Sequence, residues 1–272
     1  MMEVSHPIAR VAFGPNTAVR GIRQLPAEVA VALSFNGTTQ AVMMATPANL
    51  EDFALGFALT EGIATRAEID SITVVETVGG IDVQVWLHAD AEARLANRRR
   101  TMAGPVGCGL CGIDSLAEAT RALPPVPASD LQMTPAQVLA AMAALPDNQP
   151  LHDATRAAHA AGFWTPDQGM VAVREDIGRH NALDKLAGLL TRTGQDCTKG
   201  AVVLTSRLSI DLVQKCAALG TPMLIAVSAP TTAAVTLAEA CGITLIALAR
   251  ADRFELFTHT ARIQMKEAAH VA

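Results

Sequence analysis

The chain has 272 residues, half of them hydrophobic, with 21 Lys and Arg against 26 Asp and Glu, a formal net charge of −5 and a pI of about 5.8. That length suits one or two domains with a real core, and the acidic balance argues against general nucleic-acid binding, which favours a basic face. Aromatics make up only 3% and Tyr is absent, so aliphatic and alanine side chains must build the interior.

The start, Met1-Met2-Glu3-Val4-Ser5-His6-Pro7, lacks the basic and apolar regions of a secretory signal. No apolar run is long enough to span a membrane. A cytosolic chain, with no membrane partner and no nucleic acid, is therefore expected. Five cysteines, three of them isolated, do not make a disulfide framework. In a reducing compartment a close pair points instead to metal or sulfur chemistry.

The first ten or more residues read as loose. Val29 to Phe35 and Gln40 to Thr46 read as a hairpin turning at Asn36-Gly37. A helix follows, with Thr46 as its cap, Pro47 in its first turn, and Leu50, Phe53, Ala54, Phe57 and Ala58 on one face. Gly62 ends it. A second hairpin joins Ile72 to Val78 with Ile81 to Leu87, turning at Gly79-Gly80. A basic helix ends in Arg98-Arg99-Arg100. Leu123-Pro124-Pro125-Val126-Pro127 reads as a linker, and Thr134-Pro135-Ala136-Gln137 opens an Ala-rich helix with a capping box. Beyond Gly169 come a short strand, Met170 to Val173, and a helix, Ile177 to Leu190. Ala201 to Thr205, Met223 to Val227 and Ile243 to Leu248 are continuous apolar strands separated by helices of roughly ten residues. Such runs predict a parallel sheet covered on both faces, an α/β architecture.

Three constellations can carry chemistry. In Gly107-Cys108-Gly109-Leu110-Cys111-Gly112, glycines flank both thiols, which describes a bent, flexible loop. Such a loop lets a thiolate reach a donor persulfide and swing to an acceptor, and the basic run upstream can lower a thiol pKa. From spacing alone, half a zinc site and a thioredoxin-like redox pair together rank above sulfur transfer. Zinc needs four ligands, yet Cys197, Cys216 and Cys241 are scattered singles, the last two read as small core residues. A zinc deaminase would carry His-x-Glu with Pro-Cys-x-x-Cys, and neither is present. The second constellation runs from Arg174 through Glu175, Asp176, Arg179, His180 and Asp184 to Lys185. Its polar side is expected to face a cleft, the plainer alternative being a solvated helix start. The third is the set of strand ends, Thr205-Ser206-Arg207, Ser228 to Thr232, and Arg250-Ala251-Asp252-Arg253. Ligands of open α/β sheets bind at such ends, and arginines suit phosphates. Any one of these loops alone is more simply a surface turn.

Together these segments resemble the FdhD/NarQ family of formate dehydrogenase accessory sulfurtransferases. The resemblance rests on Pro47 to Phe57, Gly107 to Gly112, Arg174 to Lys185, Ser206 to Ser209, Val213-Gln214-Lys215, Ala226 to Thr231 and Arg253 to Thr258, which cover nearly the whole chain in order. It implies a sulfur carrier, enzyme-like in forming a cysteine persulfide, with Cys108 bearing the sulfur and Cys111 as its loop partner. It implies a cysteine desulfurase as donor, the bis-guanine-dinucleotide molybdenum cofactor as bound cargo, formate dehydrogenase apoenzyme as its destination, no intrinsic metal, and a homodimer. The guanine-nucleotide contact maps to Leu248, Ala249, Arg250, Ala251, Asp252 and Arg253. The implied fold is a cytidine-deaminase-like three-layer core without the zinc site, residues 128–272, and a smaller α+β N-terminal domain, residues 1–127, carrying the Cys loop. One departure is Arg156, where the family tends to place glycine or a small residue. Two rival functions are a chaperone that binds cofactor or apoenzyme without thiol chemistry, and a thiol-disulfide oxidoreductase cycling a Cys108–Cys111 disulfide.

Overall fold

The structure, a computed structural model, describes residues 2–89, 91, 95 and 123–264. Cys108, Cys111 and most of the basic helix lie outside these residues. The N-terminal segment is not loose. It forms a two-stranded antiparallel ribbon of β1 (Ser5–Phe13) and β2 (Ala18–Pro26), paired from Ser5↔Pro26 to Phe13↔Ala18. Nearly every ribbon residue is exposed, so neither face carries the one-sided apolar alternation that marks a half-buried strand.

A four-stranded sheet follows, in the order β4-β3-β6-β5, from β3 (Val29–Phe35), β4 (Thr38–Ala45), β5 (Ile69–Thr77) and β6 (Gly80–Leu87). Asn36 and Gly37 both have positive φ, 46° and 74°, as a tight hairpin turn requires. The second turn sits at Val78-Gly79, one residue earlier than the sequence suggests, because Thr77 already pairs with Gly80. Val31, Leu33, Phe35, Ile81, Val83 and Val85 close on helix α1 (Leu50–Thr60) in one core, to which Ala91 and Leu95 also belong. Helix α1 starts later than Thr46 and Pro47 imply; its N-cap is Asn49, at φ 54°.

The rest of the chain builds a six-stranded mixed sheet, β12-β11-β10-β9-β7-β8. Its strands are β7 (His159–Thr165), β8 (Gly169–Asp176), β9 (Ala201–Leu204), β10 (Met223–Ala226), β11 (Thr244–Ala247) and β12 (Glu255–Leu256). Only β9, β10 and β11 run parallel to one another in the expected way; β7 runs antiparallel to both β8 and β9, and β12 to β11. Successive residues of each central strand enter opposite layers. Val202 and Leu204 pack with α4 (Arg179–Arg192), α5 (Ile210–Leu219) and α6 (Thr232–Cys241). Ala201 and Val203 pack with α2 (Pro135–Ala143) on the other face. The result is a three-layer α/β arrangement. The capping box of α2 is present, with the Gln137 N–H donating to Thr134 Oγ1 at 3.2 Å and the Thr134 N–H to Gln137 Oε1 at 2.8 Å. Leu123 and Val126 of the expected linker pack against this second core, and the Val126 N–H donates to the Cys241 carbonyl. After α3 (Pro150–Thr155), Arg156 takes a left-handed φ of 59°, a conformation that glycine adopts without the Cβ penalty.

The two cores meet where α1 crosses α4 in antiparallel sense. The contact is made by two stripes with the four-residue spacing that aligns side chains on one helix face. Asp52, Gly56 and Thr60 lie on α1; Asp184, Gly188 and Arg192 lie on α4. At one end Thr60 donates to Asp184 Oδ1 at 2.7 Å, and at the other Arg192 Nε donates to Asp52 Oδ1 at 2.8 Å. Between them the backbones touch, since a Cβ built on Gly56 would lie 1.7 Å from the Asp184 carbonyl oxygen and one on Gly188 1.8 Å from that of Asp52. A methyl at either site must push whole helices apart. Gly188→Ala should therefore destabilise the fold by about 1–3 kcal/mol by overpacking, despite alanine's better helix propensity; chemical denaturation measures this, and a neutral or stabilising result would refute the contact.

Candidate functional site

The polar stretch from Arg174 to Lys185 divides into two parts with different fates. The Asp and Lys side chains expected to face a cleft are instead in the interior. Asp176, Asp184 and Lys185 are each at most 1% exposed. Lys185 Nζ donates to Asp176 Oδ2 at 2.6 Å and to the Thr46 carbonyl at 2.8 Å. Asp176 Oδ2 also accepts the Thr46 N–H, and its Oδ1 accepts the Gly178 N–H and Asn181 Nδ2. Thr46 is thus a buried hydrogen-bond hub and not the cap of α1. Lys215 of α5 reaches Asp184, Thr60 and Glu61. Asp52 sits between Arg174 and Arg192. Buried charges are tolerated only when paired and hydrogen-bonded, and these are. They hold the junction between the two cores.

Arg179 and His180, the first residues of α4, reach the other destination, the carboxyl edge of the six-stranded sheet. Pairing of His159 with Asp176 and of Ala161 with Leu204 puts the start of β7 and the ends of β8 and β9 on that edge. The loops after β9, β10 and β11 are stitched together there. The Val227 N–H donates to the Leu204 carbonyl, that of Leu208 to Ala229, that of Leu248 to Ser228, and that of Ala249 to Ala226. The sequence-based expectation that these strand ends open together therefore holds, and the second constellation joins them. Its contribution leaves little trace in the sequence, because Ala160, Ala161 and Gly162 of β7 carry little strand propensity.

The six residues mapped to nucleotide contact differ in what they can offer. Leu248 is half-buried at φ 51°, and Ala249 is in the core. Arg250, Ala251, Asp252 and Arg253 are exposed in the hairpin between β11 and β12, closed by the Arg250 N–H donating to the Arg253 carbonyl at 2.8 Å. Among the described residues, none of Arg179, Arg207, Arg250 and Arg253 has a carboxylate at ion-pair distance, whereas Arg174 and Arg192 do. Four guanidinium groups thus lie along one edge with no ion-pair carboxylate among the described residues. The edge is distinct from the cleft of about 350 Å³ that opens between the ribbon root, α3 and β8, beside Thr46, Leu151 and Glu175. Glu175 there accepts the Leu151 and His152 N–H groups and is already committed to starting α3.

Two imidazoles share the edge. His159 Nδ1 lies 3.4 Å from Thr205 Oγ1, and its pKa is held below the usual value by burial and by the charge of Arg179. His180 is pushed down to about 4 by burial, then by Arg179 and Lys215, against the opposite pull of Asp211 and Glu61. His180 is therefore neutral at pH 7. An unfolded chain takes up a proton at this imidazole near its ordinary 6.5, and the folded chain does so only near 4. Stability from this group is complete above pH 6.5 and drains away as pH falls toward 4. In thermal melts, the stability of wild type relative to His180→Asn should decline over that interval; a difference independent of pH would contradict the assignment.

The remaining thiols are poor candidates for sulfur chemistry. Cys216 and Cys241 are fully buried, as expected of core residues, and burial raises both thiols. Cys197 is pushed up to about 12 by burial and by Asp196. Among the described residues no group of His, Cys, Asp and Glu could hold a metal ion, and no helix is long and apolar enough to cross a membrane.

Fold and edge together define an α/β protein whose six-stranded mixed sheet presents an arginine-lined carboxyl edge. The chain belongs to the FdhD/NarQ family, whose sequence profile matches residues 26–264. Its relatives include a protein of Agrobacterium fabrum named sulfur carrier protein FdhD, 53% identical over 258 residues that cover 94% of this chain and 95% of the relative. A protein of the same name from Brucella abortus is 49% identical over 262 residues, covering 96% and 97% respectively. The crystal structure of a putative formate dehydrogenase accessory protein from Desulfotalea psychrophila superposes with a TM-score of 0.75 at 25% identity, covering 96% of this chain and all of that one.

Proposed function

We propose that this chain is a sulfur carrier that matures a molybdenum-dependent formate dehydrogenase. The Cys108 thiolate attacks the sulfane sulfur of a cysteine desulfurase persulfide, and the donor's thiolate leaves. Cys108 then holds the extra sulfur as its own persulfide. When that sulfur passes to a bis-guanine-dinucleotide molybdenum cofactor bound as cargo, the S–S bond breaks with its electron pair on Cys108, which returns to a thiolate. The transferred sulfur takes the two electrons that make it a sulfide from the cargo metal or an added reductant. Cys111 assists as the loop partner. The loaded cofactor passes to the apoenzyme, in the cytoplasm, from a homodimeric carrier.

The observation that supports the reading is the row of arginines on the strand edge of an acidic family member, none of which has an ion-pair carboxylate among the described residues. A phosphate-rich cargo suits such a row, because the planar guanidinium fork contacts two phosphate oxygens at once. Arg250 and Arg253 take the pyrophosphate or guanine-nucleotide portion, and Asp252 either accepts from the guanine N–H groups or orients an arginine. The raised pKa of half-buried Cys197 and of buried Cys216 and Cys241 leaves Cys108 and Cys111 as the thiols suited to exchange.

Incubation with desulfurase and cysteine should add about 32 Da, removable by a reductant, as expected of persulfide formation on a nucleophilic thiolate. Cys108→Ala should not be loaded. Loading of that variant, or formate dehydrogenase maturation when both thiols become Ser, would favour the chaperone. Turnover with a dithiol and no sulfur uptake would favour the oxidoreductase. Guanine nucleotide titrations test the other half. Arg253→Ala should bind about ten- to a hundredfold more weakly, the effect of losing one charge-assisted contact, while Cys108 is still loaded. Unchanged nucleotide affinity with lost loading would reverse the proposed roles.

A further inference from the structure

The N-terminal ribbon has a face without a counterpart in its own chain. Opposite residues of an antiparallel pair share a face, so the pairings Ala9↔Ile22, Val11↔Arg20 and Phe13↔Ala18 set these side chains together. Arg23, on the other face, donates to the Thr155 carbonyl of α3 at 3.3 Å, which turns that face toward the body and this one away. Phe13 and Ile22 are 81% and 71% exposed. A lone two-stranded ribbon is marginally stable in water, and a contiguous exposed apolar patch marks an interaction site. The charge of the ribbon is also one-sided. Arg10, Arg20 and Arg23 stand between Glu3 and Glu28 with no acid among them, in a chain of net charge −5.

A complementary surface lies on the four-stranded sheet. Its inner face closes on α1, while its outer face bears Ala30, Ala32, Val42, Met44, Asp82 and Trp86. Among the described residues no second layer covers that face: Val42 is 53% exposed, and Met44 and Trp86 are exposed as well. The cross-strand row Val42, Ala32, Asp82 sets one carboxylate among apolar side chains, as Arg20 stands between Val11 and Ile22 on the ribbon. Acid prevails here. Glu68, Asp70, Glu76 and Asp82 stand between Arg66 and His88 with no Lys or Arg among them. Asp82 accepts from Ser34 at one oxygen and from Gln84 at the other, which fixes the carboxylate and leaves each oxygen room for a further donor.

We propose that the β1–β2 ribbon of one copy packs on the outer face of the four-stranded sheet of a second copy, and that the exchange is reciprocal. Sheets stack face to face at about 10 Å, which brings Phe13 and Ile22 onto Val42 and Met44 and points Arg20 at Asp82. Reciprocal exchange closes about a two-fold axis. Each strand of the arm has nine residues, a length of roughly 30 Å. Two arms and the faces they cover remove roughly 1,200 Å² from water, the size of a small specific interface. Opposite charge on arm and sheet favours this seat over ribbon on ribbon, which sets arginine against arginine, and over an anionic lipid surface, which leaves the acidic sheet face uncovered. The interface gives the homodimeric carrier named above its contact surfaces. It does not involve the sulfur chemistry, so its failure leaves the loading of Cys108 untouched.

Analytical ultracentrifugation of the full chain tests this. Wild type should sediment as a dimer across the micromolar range. The arm variant, Phe13→Ser with Ile22→Ser, and the sheet variant, Val42→Lys, should each sediment as monomers, the dissociation constant rising on the order of a hundredfold or more. All three sites are on the surface, so thermal melts of the variants should match wild type. Mixing the two variants should restore a dimer, held by the intact arm of one on the intact sheet of the other. A monomeric wild type, or wild-type dimers in both variants, overturns the interface. Monomers in the arm variant with wild-type dimers in Val42→Lys overturn the sheet as the seat of the arm. Two monomeric variants that stay apart when mixed overturn the exchange. Monomeric wild type that co-sediments with phosphatidylserine vesicles, and loses this in the arm variant, assigns the arm to a lipid surface instead.

Discussion

The backbone contact between α1 and α4 is the constraint on which the remaining geometry depends. Glycines at 56 and 188 bring the helices closer than side chains ordinarily allow. That proximity forces the flanking positions to be polar, since a carboxylate at 52 or 184 then meets a partner from the opposing helix within hydrogen-bond distance. The same approach drives Lys185 and Lys215 into the interior, where each finds an aspartate and lies over a phenylalanine ring of α1 at 5.8 and 5.6 Å. A buried ion pair of this sort is not in itself a large source of stability, because desolvation offsets much of the attraction. What it does here is fix register: a slip of α4 by one turn would leave Asp184 and Lys215 without their partners.

Register matters because α4 also begins at the arginine-lined edge. Asp176 binds the chain on both sides of the β8–α4 turn, through Gly178 and Asn181, while Lys185 anchors that carboxylate to Thr46 of the first unit. The place where Arg179 and His180 emerge is thus set by contacts with a segment more than a hundred residues earlier. The charged interior and the arginine edge are two ends of one arrangement, one keeping its charges paired and the other, among the described residues, without ion-pair carboxylates.

Much of this was legible in the sequence. The apolar runs at 201–205, 223–227 and 243–248 end abruptly in hydroxyl and charged residues, and such a switch marks a strand leaving the core whatever the fold. The hairpin at Asn36-Gly37 and the capping box at Thr134 are local chemistry, and local chemistry reads well. What did not read were features whose meaning depends on a distant partner. The stripe of Asp52, Gly56 and Thr60 was visible as spacing, yet nothing nearby says that its complement lies on α4, so α1 read as a helix with a single buried face. Strand β7 hid because its small residues take their strand conformation from β8 and β9 on either side. The β1–β2 ribbon hid for the opposite reason, having almost no buried face to pattern. The candidate site read in pieces: its arginines were seen, but their collection onto one edge is a property of the sheet order.

The α1–α4 crossing also sets a schedule for biosynthesis. It joins Thr60 to Asp184, 124 positions apart, and Asp52 to Arg192, 140 apart. A ribosome adding about 5–20 residues per second exposes α1, apolar on one side and carrying unpaired polar groups on the other, for roughly ten seconds before its partner helix exists. The four-stranded sheet can shelter the apolar side at once, but the stripe of Asp52, Gly56 and Thr60 must wait in water. Its polar character suits that wait: a leucine stripe in the same place would be an invitation to aggregate on the nascent chain, whereas aspartate, glycine and threonine remain hydrated until the later helix arrives.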